Sequence, residues 1–492
     1  MRLSLTIPVL LVITVCAIAT FLFAFSGYPL FVVDSGCFLP VSYFINHGNH
    51  LVNPFYDAGI DQVSHRFLFY PPLFPYVVGF INRLLPTDIN NLFISLTIID
   101  DLTIIITFLS IYLYLKKTGF LAGKSAYIYF GLLATASFAF QGISTGRPEI
   151  LSRLLISCFI LNNIGWPSTL KYTLNGLLVG LAFITSPISG FYLVFIAAAL
   201  LSYSNNFTLK PIASTCFGVI SVIGIFILVY PYPLAELING MRIHSANVIF
   251  NRNGSDMLQT FIAKYITAPA TPLGIVPFVI VCVYIYVYLI NRKLTLTFIF
   301  STLLIGTVLY FAFYKDLNMA YNLYVLSPLA IFLIAVIFAR NYRSISLLKN
   351  LNLVIALILF VNTTGFIRKT VVFFITKEQL VAPGDFRTQL SNIIKQTKPN
   401  EKVVVSNGLW PYALGNYEKV ILYRTGDMNY ILNNVSVKFM LIQQSNSGLL
   451  KPKVYPRFKL VKNGFNTDNV KVWHLTLGNT YPGHQTAVYE RE

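Results

Sequence analysis

The chain has 492 residues, of which 55% are hydrophobic and only 11% are charged, whereas a soluble domain carries about 25% charged residues. Apolar runs of roughly 20 residues recur along it, each long enough to cross about 30 Å of hydrocarbon, which excludes a soluble globular protein and indicates a polytopic membrane protein. The net charge of +18 does not point to nucleic acid, because part of it sits in short loops between apolar runs, where Lys and Arg set membrane topology.

In chain order, the runs at 3–25, 92–115, 123–142, 148–165, 172–186, 188–204, 211–230, 273–290, 295–313, 322–339 and 351–367 read as transmembrane helices, about 11 in all. The first has Arg2 and an Ala17-Ile18-Ala19 triplet, as a signal peptide would, but stays apolar to Phe25 and reads as an uncleaved anchor. Lys116, Lys117, Lys124, Lys171, Lys210, Arg292, Lys293, Arg340, Arg343 and Lys349 then all fall on one side. The positive-inside rule makes that side, and the N-terminus, cytoplasmic. The opposite side receives the loop 31–90, the loop 231–271, the turns near 143–147 and 315–321, and the whole C-terminus. The five cysteines, at 16, 37, 158, 216 and 282, have no metal-ligand spacing and suggest no disulfide framework.

The segment 31–86 is far more polar than its surroundings and holds Asp34, Asp57, Asp61, His65, Arg66 and a Tyr70-Pro71-Pro72 corner. Asp34 lies about nine residues past the first span. It reads either as a solvated loop acid or as a carboxylate put to use at the membrane edge, where an uncompensated charge is costly. The apolar stretch 73–85 is too short to span and predicts a helix lying in, or dipping into, the interface. Asp100 and Asp101 interrupt the second span. Two adjacent acids point about 100° apart on a helix, and at that depth they must face a polar cavity or find cationic partners.

Gly146-Arg147-Pro148-Glu149 reads as a helix start, since proline is tolerated in the first turn. Arg147 would project there beside unpaired N–H groups, an arrangement suited to a phosphate, or would serve as an interfacial anchor. Lys315, and Arg242 with His244, are further cations on the same side. Ser186-Pro187 predicts a tight turn between two spans, because proline removes a helix donor and disfavours helix just before it. After about residue 377 long apolar runs stop, and a helix at 385–397 precedes β-prone runs at 403–406, 420–423, 438–442, 458–461 and 470–475. The expected organisation is a transmembrane part, 1–376, and a small extracytoplasmic α/β domain, 377–492.

An acid soon after the first span, Tyr70-Pro71-Pro72-Leu73, Arg147-Pro148-Glu149 and a terminal α/β domain stand in a familiar order. The chain resembles the GT-C superfamily of membrane glycosyltransferases, especially the bacterial relatives of dolichyl-phosphate-mannose protein mannosyltransferases and of the aminoarabinose transferase. The resemblance implies a helical polytopic fold in the cytoplasmic (inner) membrane and transfer of a sugar, with inversion, from a polyprenyl-phosphate donor to an acceptor lipid, glycan or protein. It maps the family's catalytic acid onto Asp34. It further implies that Arg147, Glu149, Lys315, Arg66, His65, Tyr70, Arg242 and His244 serve the donor phosphate and substrate. Asp100 and Asp101 remain a separate polar-cavity candidate. Where many relatives carry an acidic pair, this chain has Asp34-Ser35, so no cofactor is expected, a divalent metal being the alternative. A transporter or lipid flippase is the competing class, but it predicts internal repeats and broken helices meeting at the midplane, and the sequence shows no repeat.

The topology is open to a direct test. Alkaline phosphatase fused after residue 380 should be active, and a fluorescent protein that matures only in the cytoplasm should stay dark; fluorescence without phosphatase activity would contradict the reading.

Overall fold

The computed structural model describes residues 35–48, 51–55, 65–68, 70–85, 89–117, 146–164, 168–203, 208–248, 383–406, 409–423, 431–432, 435–443, 457–462, 470–472, 475–477 and 486–492, and positions 14, 17, 18, 21 and 22. The expected spans at 123–142, 273–290, 295–313, 322–339 and 351–367, and nearly all of that at 3–25, lie outside these residues. So do Asp34, Asp57, Asp61 and Lys315.

Two short helices occupy what reads in sequence as the first polar loop: α1, Ser35–Asn46, and α2, Leu73–Arg83. The second is the expected 73–85 helix. Phe74, Pro75, Val78, Gly79 and Asn82 turn inward, while Tyr76, Phe80 and Leu84, four residues apart, are exposed. That apolar stripe suits a helix lying in an interface. The first helix escapes a hydropathy reading because Pro40 sits inside it. Its end is tied to α2 where Asn46 Nδ2 donates to Gly79 O at 2.9 Å and Arg83 Nε donates to Asn46 Oδ1 at 2.7 Å.

A bundle follows: α3, Ile89–Lys117; α4, Glu149–Asn162; α5, Thr169–Phe183; α6, Pro187–Tyr203; and α7, Leu209–Val229. α4 packs on α3 and α5, and α5 also packs on α6 and α7. The break between α5 and α6 falls at Ser186-Pro187, as expected. α5 and α7 meet backbone to backbone. A Cβ on Gly176 would stand 2.0 Å from the Thr215 carbonyl oxygen, and one on Gly218 would stand 2.4 Å from that of Thr173. Small residues at such a crossing let helix backbones approach where no hydrophobic effect drives helices together. Among the described residues one helix, Leu209–Val229, is both long and apolar enough to cross a membrane, with mean hydropathy 2.5. Its Phe217, Ile220, Ile225 and Leu228 are exposed. α3 is longer, at 29 residues, and carries Asp100 and Asp101. α4, α5 and α6 have 14, 15 and 17 residues.

The segment 231–271, read in sequence as a loop, contains α8, Leu234–Val248. Beyond it the described residues of the C-terminal part form α9, Pro383–Lys395, and seven strands: β1, Lys402–Ser406; β2, Val420–Tyr423; β3, Val437–Gln443; β4, Phe458–Lys462; β5, Val470–Val472; β6, Leu475–Leu477; and β7, Thr486–Arg491. Five form a mixed sheet in the order β2-β1-β3-β7-β4. β1 is parallel to β2 and β3, and β7 is antiparallel to β3 and β4. The run at 470–475 is split, because β5 and β6 fold back on each other as a separate antiparallel pair. β7 was not expected from sequence, yet it joins the two halves of the sheet.

The turn between β1 and β2, with the short helix α10, Trp410–Ala413, carries the contact to the rest of the chain. Trp410 is fully buried and its ring meets Phe93 of α3 edge-on at 6.3 Å, while Tyr417 meets Phe44 of α1 at 5.1 Å. One apolar core therefore runs from α1, α2 and α3 into the layer beneath the sheet. Burial, and then neighbouring Tyr417, pushes the Tyr43 phenol above its ordinary value.

Candidate functional site

Tyr70, Arg147 and Glu149 converge. Arg147 and Pro148 open α4, and the start of this helix brings the Glu149 carboxylate back against the Arg147 guanidinium. Arg147 Nε donates to Glu149 Oε2 at 2.9 Å, with the two side chains 13% and 5% exposed. The other carboxylate oxygen accepts from the Tyr70 hydroxyl at 3.1 Å. With that proton committed, Ser186 Oγ, 3.0 Å away, is placed to donate to the Tyr70 oxygen. The Tyr70-Pro71-Pro72 corner is docked by its backbone as well, Leu73 N donating to Ile184 O at 3.4 Å. Arg147 thus differs from the expected projecting cation: burial next to a helix start makes a paired guanidinium cheaper than a free one.

The same tyrosine touches the first loop. Its ring packs edge-on against Phe38 of α1 at 5.4 Å. Asp34 immediately precedes α1 in sequence and lies outside the described residues.

His65 and Arg66 stand in a strap that doubles back on itself. Val52 and Arg66 form an antiparallel bridge, Asn53 N donates to His65 O at 2.8 Å, and Phe67 N donates to Leu51 O at 3.0 Å. His65 takes a left-handed conformation at φ 54°, which His tolerates better than most residues. Arg66 pairs with Glu236 in the first turn of α8 and lies 5.4 Å from the Tyr232 ring centre. Tyr232 and Tyr230 donate their hydroxyls to Leu51 O at 3.0 Å and Phe67 O at 3.4 Å. Gly240 of α8 closes on the Leu68 carbonyl so tightly that a Cβ there would stand 2.4 Å from its oxygen.

The remaining described candidates stand on α3 and α8. Arg242 is exposed on α8, and His244 lies two residues further along the same helix. Asp100 and Asp101 are each 4% exposed on α3, and Arg153, 2% exposed, lies on α4 beside it; none of the three is isolated. The α3–α4 seam is also polar further along, where Thr107 Oγ1 and Ser157 Oγ lie 2.7 Å apart. Among the described residues no group of three His, Cys, Asp or Glu side chains is arranged to hold a metal.

Sequence reasoning missed Arg153, Ser186, Glu236 and Asn53. Glu236 carries only the weak signal of an acid in a helix's first turn. Arg153 carries a stronger one, a cation inside an apolar run, which is rare without a function or a partner.

No protein-family model and no curated protein sequence matches the chain. Solved structures do. The likeness is one of fold, and it is to a structure of the kind that the sequence resemblance implied. The chain superposes on ArnT from Cupriavidus metallidurans, solved bound to undecaprenyl phosphate, with a TM-score of 0.54 over 98% of this chain and 97% of that one. At 12% identity the two share a fold rather than side chains. The oligosaccharyltransferase of Archaeoglobus fulgidus, solved in the apo form, matches with a TM-score of 0.49 and 13% identity over 88% of this chain and 69% of that one.

Glu149→Gln keeps the shape of the site but removes the charge facing Arg147. Breaking a buried pair in this way costs about 3–5 kcal/mol, whereas Tyr70→Phe, which loses one hydrogen bond to a charged group, costs about 1.5–3 kcal/mol. Both variants should lower the thermal unfolding midpoint in detergent, Glu149→Gln by more. An unchanged midpoint for Glu149→Gln would show that the pair is not structural.

Proposed function

We propose that the chain is a membrane glycosyltransferase. It takes one sugar from a polyprenyl-phosphate donor and passes it to an acceptor hydroxyl or similar nucleophile on the extracytoplasmic face, inverting the anomeric centre. The observation that carries this reading is the convergence of Arg147, Glu149, Tyr70 and Ser186 beside α1, on a fold shared with a protein solved bound to undecaprenyl phosphate.

Asp34 is the general base. Its carboxylate takes the acceptor proton as the acceptor oxygen attacks the anomeric carbon, and the bond from that carbon to the phosphate oxygen breaks. The leaving group turns from a phosphodiester into a phosphomonoester, so it needs cations more than a proton donor. Arg147 is the first of these, with Arg66, Arg242 and Lys315 as further candidates. A guanidinium carries five donors, so an ion pair made through Nε is compatible with a phosphate on the same group. Glu149 and Tyr70 then orient Arg147 rather than meet the anion themselves. The exposed stripe Tyr76, Phe80 and Leu84 of α2 faces the lipid that the donor's tail inhabits. The Asp100, Asp101 and Arg153 seam favours the second reading, a transporter or flippase, because buried charges among spans also mark conduction paths.

Asp34→Asn should accumulate normally and lose transfer by roughly 10²–10⁴-fold, the usual worth of a positioned acid or base. Asp57→Asn and Asp61→Asn should cost far less. A well-expressed Asp34→Asn protein with near-normal transfer would remove the assignment.

A further inference from the structure

Only Tyr230-Pro231-Tyr232-Pro233 separates the end of α7, at Val229, from the start of α8, at Leu234. Pro231 cannot extend the helix ladder of α7, and Pro233 O accepts from Glu236 N at 3.0 Å as α8 begins. Tyr230 and Tyr232 give their hydroxyls to the strap, and tyrosine is favoured where a chain leaves a membrane. α8 therefore starts at the level where α7 ends.

The described side chains of α8 divide into three faces. At 3.6 residues per turn, Glu236, Leu237 and Gly240 fall within about 100° of one another. They meet the strap: Glu236 pairs with Arg66, Leu237 is buried, and Gly240 backs onto the Leu68 carbonyl. Leu234, Ile238 and Met241 fall within about 60°. Met241 packs partly against the core, whereas Leu234 and Ile238 are 37% and 54% exposed. Ala235, Asn239 and Arg242, all exposed, take the third face, with Arg242 about 40° from Ile238. An apolar flank beside a polar flank, on a helix resting on protein by its third face, suits a helix lying in a membrane interface. Continuity says what covers the apolar flank. The last residues of α7, Leu228 and Val229, are 85% and 74% exposed, and its earlier turns expose Phe217, Ile220 and Ile225. A soluble partner cannot reach a face of α7 that lies in the bilayer, and the lipid that covers that face extends onto Leu234 and Ile238.

We propose that α8 is a bilayer-contact surface. Leu234 and Ile238 rest among the acyl chains of the leaflet in which α7 ends, and Arg242 meets the phosphate of an anionic phospholipid, its stem lying along the apolar flank. The strap then takes its height from the membrane, because Arg66 and Leu68 are held by another face of the same helix. This narrows the further cations of the transfer reading without depending on that reading.

The test uses full-length protein with Cys16, Cys158, Cys216 and Cys282 replaced by alanine and the buried Cys37 left in place. Ile238→Cys and Asn239→Cys each carry one nitrobenzoxadiazole label, in vesicles of phosphatidylcholine and phosphatidylglycerol. Phosphatidylcholine with a nitroxide on its acyl chain should quench the label at 238 several-fold more than the label at 239. Aqueous iodide, present on both sides, should show the reverse order. Arg242→Glu should cut the lipid quenching at 238, by repulsion from phosphatidylglycerol, and Arg242→Lys should keep it. If the variant at 238 fails to accumulate, Leu234→Cys reports on the same flank. Equal iodide quenching at 238 and 239 would overturn the proposal. So would a label at 238 shielded from both quenchers, which would place protein, a second copy or another chain, on this flank. Lipid quenching at 238 that ignores Arg242→Glu would defeat the phosphate contact.

Discussion

A buried carboxylate cannot stand alone, and Glu149 is the point from which the arrangement follows. Its charge at the start of α4 is compensated on one oxygen by Arg147 and on the other by Tyr70. Removing an ionised acid from water costs several kcal/mol unless both oxygens are satisfied. That requirement draws the Tyr-Pro-Pro corner against the bundle, and Ser186 meets it from the α5–α6 break. The pair is therefore a joint between a polar loop and apolar helices, and it leaves a cation held beside a helix start.

The rest of the loop is held from other directions. Tyr230 and Tyr232, just past the end of α7, fasten the strap through its carbonyls, and Arg66 reaches α8. From the C-terminal part, Trp410 and Tyr417 enter the core shared by α1 and α3. Apart from the Arg66–Glu236 pair, each contact uses an aromatic group with a polar or flat face. Such residues are suited to a boundary where one side is apolar and the other wet. The described part of the loop is thus held by side chains from distant parts of the chain.

How much of this could be read in the sequence follows from the range of the interactions. Hydropathy located α3 to α7 within a few residues, because burial in an apolar medium leaves a composition signal over each run. Tyr70-Pro71-Pro72 and Arg147-Pro148-Glu149 were visible because proline marks helix starts locally. The convergence of Tyr70 with Glu149, 79 residues apart, was not visible. Nor was the Arg66–Glu236 pair, 170 residues apart, since such pairs leave no periodicity. Asn53 looked like an ordinary loop residue, because its partners are carbonyls, which every residue has. β7 was missed for another reason. Of Thr486–Arg491, the strand that bridges two strands in the sheet, Ala487 and Tyr489 are the buried pair. Two alternating positions before a charged end are too few to read as a strand.

The claim that this fold performs sugar transfer is tested most directly by following the sugar itself. Membranes containing the chain would be incubated with a panel of radiolabelled polyprenyl-phosphate sugars and an extract of cell-envelope acceptors. The account predicts that one label leaves its lipid and appears on an acceptor with the opposite anomeric configuration. Donor lipid that stays chemically intact while crossing the bilayer would contradict it and would instead describe a flippase.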